Sequence, residues 1–112
     1  MRGWSGAVAA LGLAAAGTVA AQVAPPITYE EASLLAGSCF NCHGPEGVAP
    51  AGGAIPTIAG MPAARMIELL GAFRADLVPG ATIMGRIALG YDGAEIAALA
   101  RYFAGGWTGG TP

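Results

Sequence analysis

The chain is 112 residues long, with five arginines, no lysine and seven acidic residues, for a formal net charge of −2. That length holds one domain at most. The charge balance excludes nucleic-acid binding, which needs a basic face, and it excludes any lysine-ringed docking surface.

Met1-Arg2 places a positive charge ahead of an uncharged apolar run from Ala7 to Ala21. Val19-Ala20-Ala21 presents small residues at the spacing a signal peptidase reads, so residues 1–21 read as a signal peptide cleaved after Ala21. An uncleaved anchor is the alternative. The run is rich in Ala and Gly and shorter than the roughly 20 strongly apolar residues that span a bilayer. Cleavage leaves residues 22–112 as the mature domain, with four arginines against seven acids, no stable membrane span and a core region of about 28–104.

The hydrophobic fraction of 54% is inflated by the leader and by alanines. The larger apolar side chains of the mature part are few: Leu34, Leu35, Met66, Ile67, Leu69, Leu70, Phe73, Ile83, Ile87, Leu89, Ile96, Leu99, Tyr102 and Phe103. A domain this small has a thin core, and a buried cofactor would extend it.

Thr28-Tyr29-Glu30-Glu31 has the form of a capping box and predicts a helix from about Tyr29 to Ser38, running directly into Cys39. Gly44 to Gly60 is dense in Gly and Pro, without helical or strand period, and reads as a loop. So long a loop in so small a domain points to one that wraps something. A second helix starts near Pro62, a residue suited to a first helical position. Met66, Leu69, Leu70 and Phe73 then make one apolar stripe before Pro79-Gly80. A short apolar segment runs from Thr82 to Leu89. Asp92-Gly93-Ala94-Glu95 repeats the cap pattern and opens a last helix carrying Ile96, Leu99, Ala100 and Phe103. The tail from Gly105 to Pro112 is Gly-rich and loose apart from Trp107. With no β alternation anywhere, the fold class is all-α.

Cys39-Phe40-Asn41-Cys42-His43 has the form C-x-x-C-H, the attachment pattern of haem c. Two thiols one helical turn apart can each add to a vinyl group on one porphyrin edge, which puts the adjacent imidazole under the iron. Three other readings compete. A thioredoxin-like pair wants a βαβ surround, which is absent. A structural zinc site wants four ligands, and no further Cys or His exists to complete one. A disulfide would leave the neighbouring histidine a coincidence. One covalent haem, ligated by His43, is the reading adopted.

His43 is the sole histidine, so a second axial ligand from this chain is a methionine thioether or the position is open. Met66 lies on the apolar stripe, where core filling is the commoner role. Met84 sits in a segment flanked by Gly80 and Gly85 that can turn a side chain inward, and it is the candidate. Met61, at a helix entrance, and an open site are the alternatives. His/Met ligation raises the reduction potential and closes the iron to small ligands, which points to electron transfer.

Over residues 31–103 the chain resembles class I c-type cytochromes, whose fold wraps helices around one haem. Pro56-Thr57-Ile58-Ala59-Gly60 resembles that family's Pro-x-Leu-x-Gly element. The resemblance implies that the Pro56 carbonyl accepts from the second ring nitrogen of His43, orienting the ligand. It also implies that the first and last helices cross, bringing Leu35 near Leu99 and Tyr102.

A narrower set of segments is similar to the cytochrome subunit of flavocytochrome c sulfide dehydrogenase. These are His43-Gly44-Pro45-Glu46-Gly47, Ile55-Pro56 with Ala59-Gly60, Ala81-Thr82-Ile83-Met84-Gly85-Arg86 followed by Gly90-Tyr91, and Leu99-Ala100-Arg101-Tyr102-Phe103-Ala104. Some members of that group carry two haems, whereas this chain has one attachment motif. The resemblance implies a periplasmic electron-transfer subunit whose partner is an FAD-containing sulfide dehydrogenase subunit. A free soluble electron shuttle is the second reading, and a haem sensor or peroxidase, which needs an open sixth position, is the third. Arg86 reads either as a contact to a propionate or partner or as a solvated residue, and Arg74 and Arg101 read as solvated helix residues.

Overall fold

Thr28 and Glu31 do close a capping box. The Glu31 carboxylate accepts from the Thr28 backbone N–H at 2.8 Å, and the Thr28 hydroxyl accepts from the Glu31 N–H at 3.3 Å. The first of these bonds holds the Glu31 carboxyl below its ordinary range. Helix α1 (Tyr29–His43) follows and runs past the expected end near Ser38, carrying Cys39 and Cys42 through to His43. What stops it is Gly44, at φ 86, whose N–H donates to Phe40 O at 3.1 Å. A side chain there would collide with Val48 O, so the attachment motif ends at a residue that only glycine can fill.

The computed structural model describes residues 24–107 without a break, together with isolated positions before them. The expected cleavage site after Ala21 and the tail beyond Trp107 lie outside the described residues.

Residues 44–60 contain one 3-10 turn, Pro45–Gly47, and otherwise fold back on that turn. Gly47 O accepts from both Ile58 N (2.8 Å) and Ala59 N (3.1 Å), and Gly60 N donates to Phe103 O at 2.8 Å. The loop is therefore closed on itself, and its far end is tied to the last helix of the chain. Pro62 caps α2 (Ala63–Arg74) from just outside the helix rather than opening it. That helix ends through Asp76, held in the left-handed region at φ 56, a conformation that short polar side chains tolerate.

α3 (Met84–Ala88) is short and packs mainly on α2. α4 (Gly93–Phe103) opens on a second capping box: Asp92 Oδ1 accepts from Glu95 N at 2.9 Å, and the Glu95 carboxylate accepts from Asp92 N at 2.8 Å. Its inner face, Ile96, Leu99, Ala100 and Phe103, is buried as the period predicts. α4 lies across α1 and α2, and the core cluster joins Ala36, Met66, Leu99, Ala100 and Phe103, with Leu35 and Tyr102 packed at its edge. Fully buried alanines at positions 36 and 100 let the two backbones approach closely.

No strand occurs among the described residues, so the expected all-α fold is the observed one. No helix among them is long and apolar enough to cross a membrane.

Not every apolar residue expected in the core reaches it. Leu34 is 81% exposed because α1 buries Ala32 and Ala36, and position 34 lies on the opposite side of a helix with 3.6 residues per turn. Ile67, Ile83, Ile87 and Leu89 are also exposed. Within the protein alone, the core rests on α1, α2 and α4.

Candidate functional site

α1 presents Cys39 and Cys42 one turn apart and His43 as its last residue. Both thiols are free. Cys39 is half-buried, and desolvation pushes its thiol above the ordinary range, whereas Cys42 is exposed. Among the described residues, no three His, Cys, Asp or Glu side chains gather into a metal site.

His43 is buried at 8% exposure, and its Nδ1 lies 2.6 Å from Pro56 O. A carbonyl can only accept, so in the neutral ring Nδ1 carries the proton and Nε2 keeps its lone pair. This is the tautomer that suits a metal ligand, with the second nitrogen fixing ring orientation. The loop stitching explains how Pro56 arrives there. Gly47 holds Ile58 and Ala59, the residues just beyond Thr57, while the Thr57 hydroxyl accepts from Ala49 N at 2.9 Å. Gly47 has no room for a side chain: at φ 81, a Cβ would stand 2.8 Å from Phe103 Cε1 and 3.0 Å from Ile58 Cγ1.

Met61, Met66 and Met84 separate by environment. Met66 is in the core, at 5% exposure, and Met61 packs on its edge. Met84 is half-buried at the first position of α3 and belongs to neither set.

The chain is 35% identical over 95 residues, covering 82% of its own length and 81% of the relative's, to the cytochrome subunit of sulfide dehydrogenase of Chlorobaculum tepidum. The chain belongs to that cytochrome family. No protein-family profile matches it.

A cytochrome is an electron-transfer haem protein, and the residues of this one fit that group. Two free thiols and an imidazole with a free lone pair occupy one helix end. Val48 and Ile55 on the loop and Ile83 and Ile87 around Met84 stand between 38% and 58% exposed, apolar surface of the kind a porphyrin face would cover. The chain thus offers both the attachment chemistry and an apolar lining, in a domain whose own core is small.

Two further interactions hold the cytochrome's site together, and neither was read from the sequence. The Tyr102 hydroxyl donates to the Glu46 carboxylate at 3.1 Å, tying α4 to the turn that follows His43. Glu46 itself sits in the left-handed region at φ 54, a conformation that costs a non-glycine residue roughly 1–2 kcal/mol and that this bond helps hold. Desolvation pushes the Tyr102 phenol above its ordinary range. On α1, the Ser38 hydroxyl lies 2.7 Å from the Tyr91 hydroxyl. Each pair is more than 50 positions apart in sequence, and no local period signals it.

Arg101 is exposed, as expected of a solvated helix residue, and it also meets an aromatic ring. Its guanidinium stacks 4.1 Å over the Trp107 ring, which in turn meets Tyr29 edge-on at 5.8 Å between centroids. The stack pins the end of α4 to the start of α1. Arg86 is exposed.

Proposed function

We propose that this cytochrome carries a single haem c bound covalently through Cys39 and Cys42, with His43 and Met84 as axial ligands. We further propose that it is exported as residues 22–112 to the periplasm and there accepts electrons from an FAD-containing sulfide dehydrogenase subunit. The observation that carries the reading is the 2.6 Å bond from His43 Nδ1 to Pro56 O, made at the end of a helix that also bears two free thiols one turn apart.

When bound, the haem supplies one-electron redox chemistry, and the protein sets its ligation, burial and exposed edge. Cys39 and Cys42 would hold the group covalently on α1. His43 offers Nε2 as a neutral donor, and Pro56 O keeps the imidazole in that tautomer and orientation. Met84 suits the opposite side, because Met66 and Met61 are engaged with the core. The exposed aliphatic side chains of the loop and of α3 would shield the bound group from water, a burial that tunes its potential.

The sulfide dehydrogenase assignment follows the relative's name and the Ala81-Thr82-Ile83-Met84-Gly85-Arg86 segment. A scarcity of charge and an absence of lysine also favour a lasting partner over a diffusing one, since electrostatic steering helps transient encounters most.

The test is expression with haem-maturation machinery, followed by oxidised and reduced spectra and by co-purification with a flavoprotein sulfide dehydrogenase subunit. A near-infrared sulfur-to-iron charge-transfer band that disappears in Met84→Ala, together with a stable complex reduced by sulfide, is the expected result. Ready binding of carbon monoxide by the unmodified protein would overturn the ligation. A monodisperse cytochrome that forms no complex and takes no electrons from the flavoprotein would return the free-shuttle reading.

A further inference from the structure

α3 carries Met84 at its first residue, is five residues long and buries Ala88 alone. So short a helix has little intrinsic stability, and its main packing partner is α2. Beyond it the chain turns tightly: Gly90 N donates to Ile87 O at 3.0 Å, and Tyr91 N donates to Ala88 O at 3.3 Å. Tyr91 is therefore joined closely to the end of α3, and its ring packs against the core of α1, α2 and α4.

The hydroxyl of Tyr91 meets Ser38 Oγ at 2.7 Å, and Ser38 Oγ donates to Leu35 O at 2.9 Å. A serine has one proton to give. With that proton committed to Leu35, Tyr91 is the donor and Ser38 the acceptor. Ser38 stands immediately before Cys39, on the helix that ends in His43. Among the described residues, this is the one side-chain hydrogen bond between α1 and residues 75–92.

We infer that Tyr91 is a positioning residue: through its hydroxyl bond to Ser38 it holds the Met84-bearing segment against the helix of the proximal ligand, and so sets how firmly Met84 keeps the sixth position. The inference rests on the His43 and Met84 ligation proposed above. Tyr91 need touch neither ligand. Without the bond, α3 leaves its place more often, and an external ligand competes with Met84 more easily. A single neutral hydrogen bond changes such an equilibrium by about two- to tenfold.

The experiment titrates imidazole into the ferric holoprotein and follows loss of the sulfur-to-iron charge-transfer band. It is run on the unmodified protein, Tyr91→Phe, Ser38→Ala and the double variant. Each single substitution is expected to raise the apparent imidazole affinity by about two- to tenfold. The double variant should show no more than the larger single effect, because both changes remove one bond. Tyr91→Phe keeps the ring in the core, so its helix content should match the unmodified protein. Unchanged imidazole affinity in both single variants overturns the inference even if their unfolding midpoints fall, since a merely structural bond lowers stability without easing displacement. Full additivity in the double variant also overturns it. Absence of the band from the unmodified protein is a different result: it removes the His/Met ligation itself, and the positioning role with it.

Discussion

Gly47 gives the sharpest test of how the loop carries Pro56 to His43. Gly47→Ala asks an L-residue to adopt φ 81, and it drives a methyl group to 2.8 Å from Phe103 Cε1 and 3.0 Å from Ile58 Cγ1. The left-handed backbone costs roughly 1–2 kcal/mol. Overpacking against a buried ring adds about 1–3 kcal/mol. Gly52→Ala is the matched control. Gly52 has nearly the same backbone, φ 79, but open space where its Cβ would go. The entropy that alanine removes from the unfolded chain is common to both variants. Subtracting one from the other therefore isolates the clash with Phe103 and Ile58. Guanidinium unfolding of the haem-bearing protein should show Gly47→Ala less stable than Gly52→Ala by about 1–3 kcal/mol. Two variants of equal stability, within roughly 0.5 kcal/mol, would refute the claim that Gly47 is where the loop docks on α4.

Three smaller predictions follow from the helix ends and the core. Asp92→Ala removes the side-chain acceptor of the α4 cap and should cost about 0.5–2 kcal/mol in thermal unfolding, while Asp92→Asn should retain most of that. Leu99→Ala, at a residue 2% exposed, should cost about 2–5 kcal/mol by denaturant unfolding; a loss under about 1 kcal/mol would contradict the core described. The Glu31 carboxyl titrates below the ordinary carboxylate range because Thr28 N–H bonds its charged form. Its contribution is thus complete at neutral pH, above the unfolded carboxyl's range, and is lost as pH falls through the lower folded value. The stability gap between the unmodified protein and Glu31→Gln should accordingly be present at neutral pH and close in acid.

What could be read from the sequence was local. Both capping boxes rest on residues three apart, and both formed as spaced. The Cys39, Cys42 and His43 cluster is contiguous, and the apolar stripe of α4 has one period throughout its length. Pro56 was assigned by resemblance, and its carbonyl does meet His43. The expected helix end near Ser38 falls short of the observed one at His43. No breaker stands between Ser38 and Gly44, and the helix simply continues.

Long-range partners escaped for a different reason. Ser38 with Tyr91 and Glu46 with Tyr102 are polar pairs brought together by the crossing of α1 and α4 and by the folded-back loop. Neither hydrophobic period nor turn chemistry specifies such pairs. Leu34 shows the converse limit, for a large apolar residue was expected inside when the small Ala32 and Ala36 take the buried face. Arg101 is exposed as expected, but its stacking on Trp107 carries no sequence signal, because Trp107 lies in a tail without periodicity.

Covalent attachment of one haem through Cys39 and Cys42 is the proposal on which the ligation and the electron transfer depend. Its most direct test is the intact mass of the mature protein expressed with haem-maturation machinery, taken after acidic organic extraction and thiol alkylation. The predicted result is a mass increase of one haem that survives extraction, with neither thiol alkylated. A chain of apoprotein mass with both thiols alkylated would contradict it.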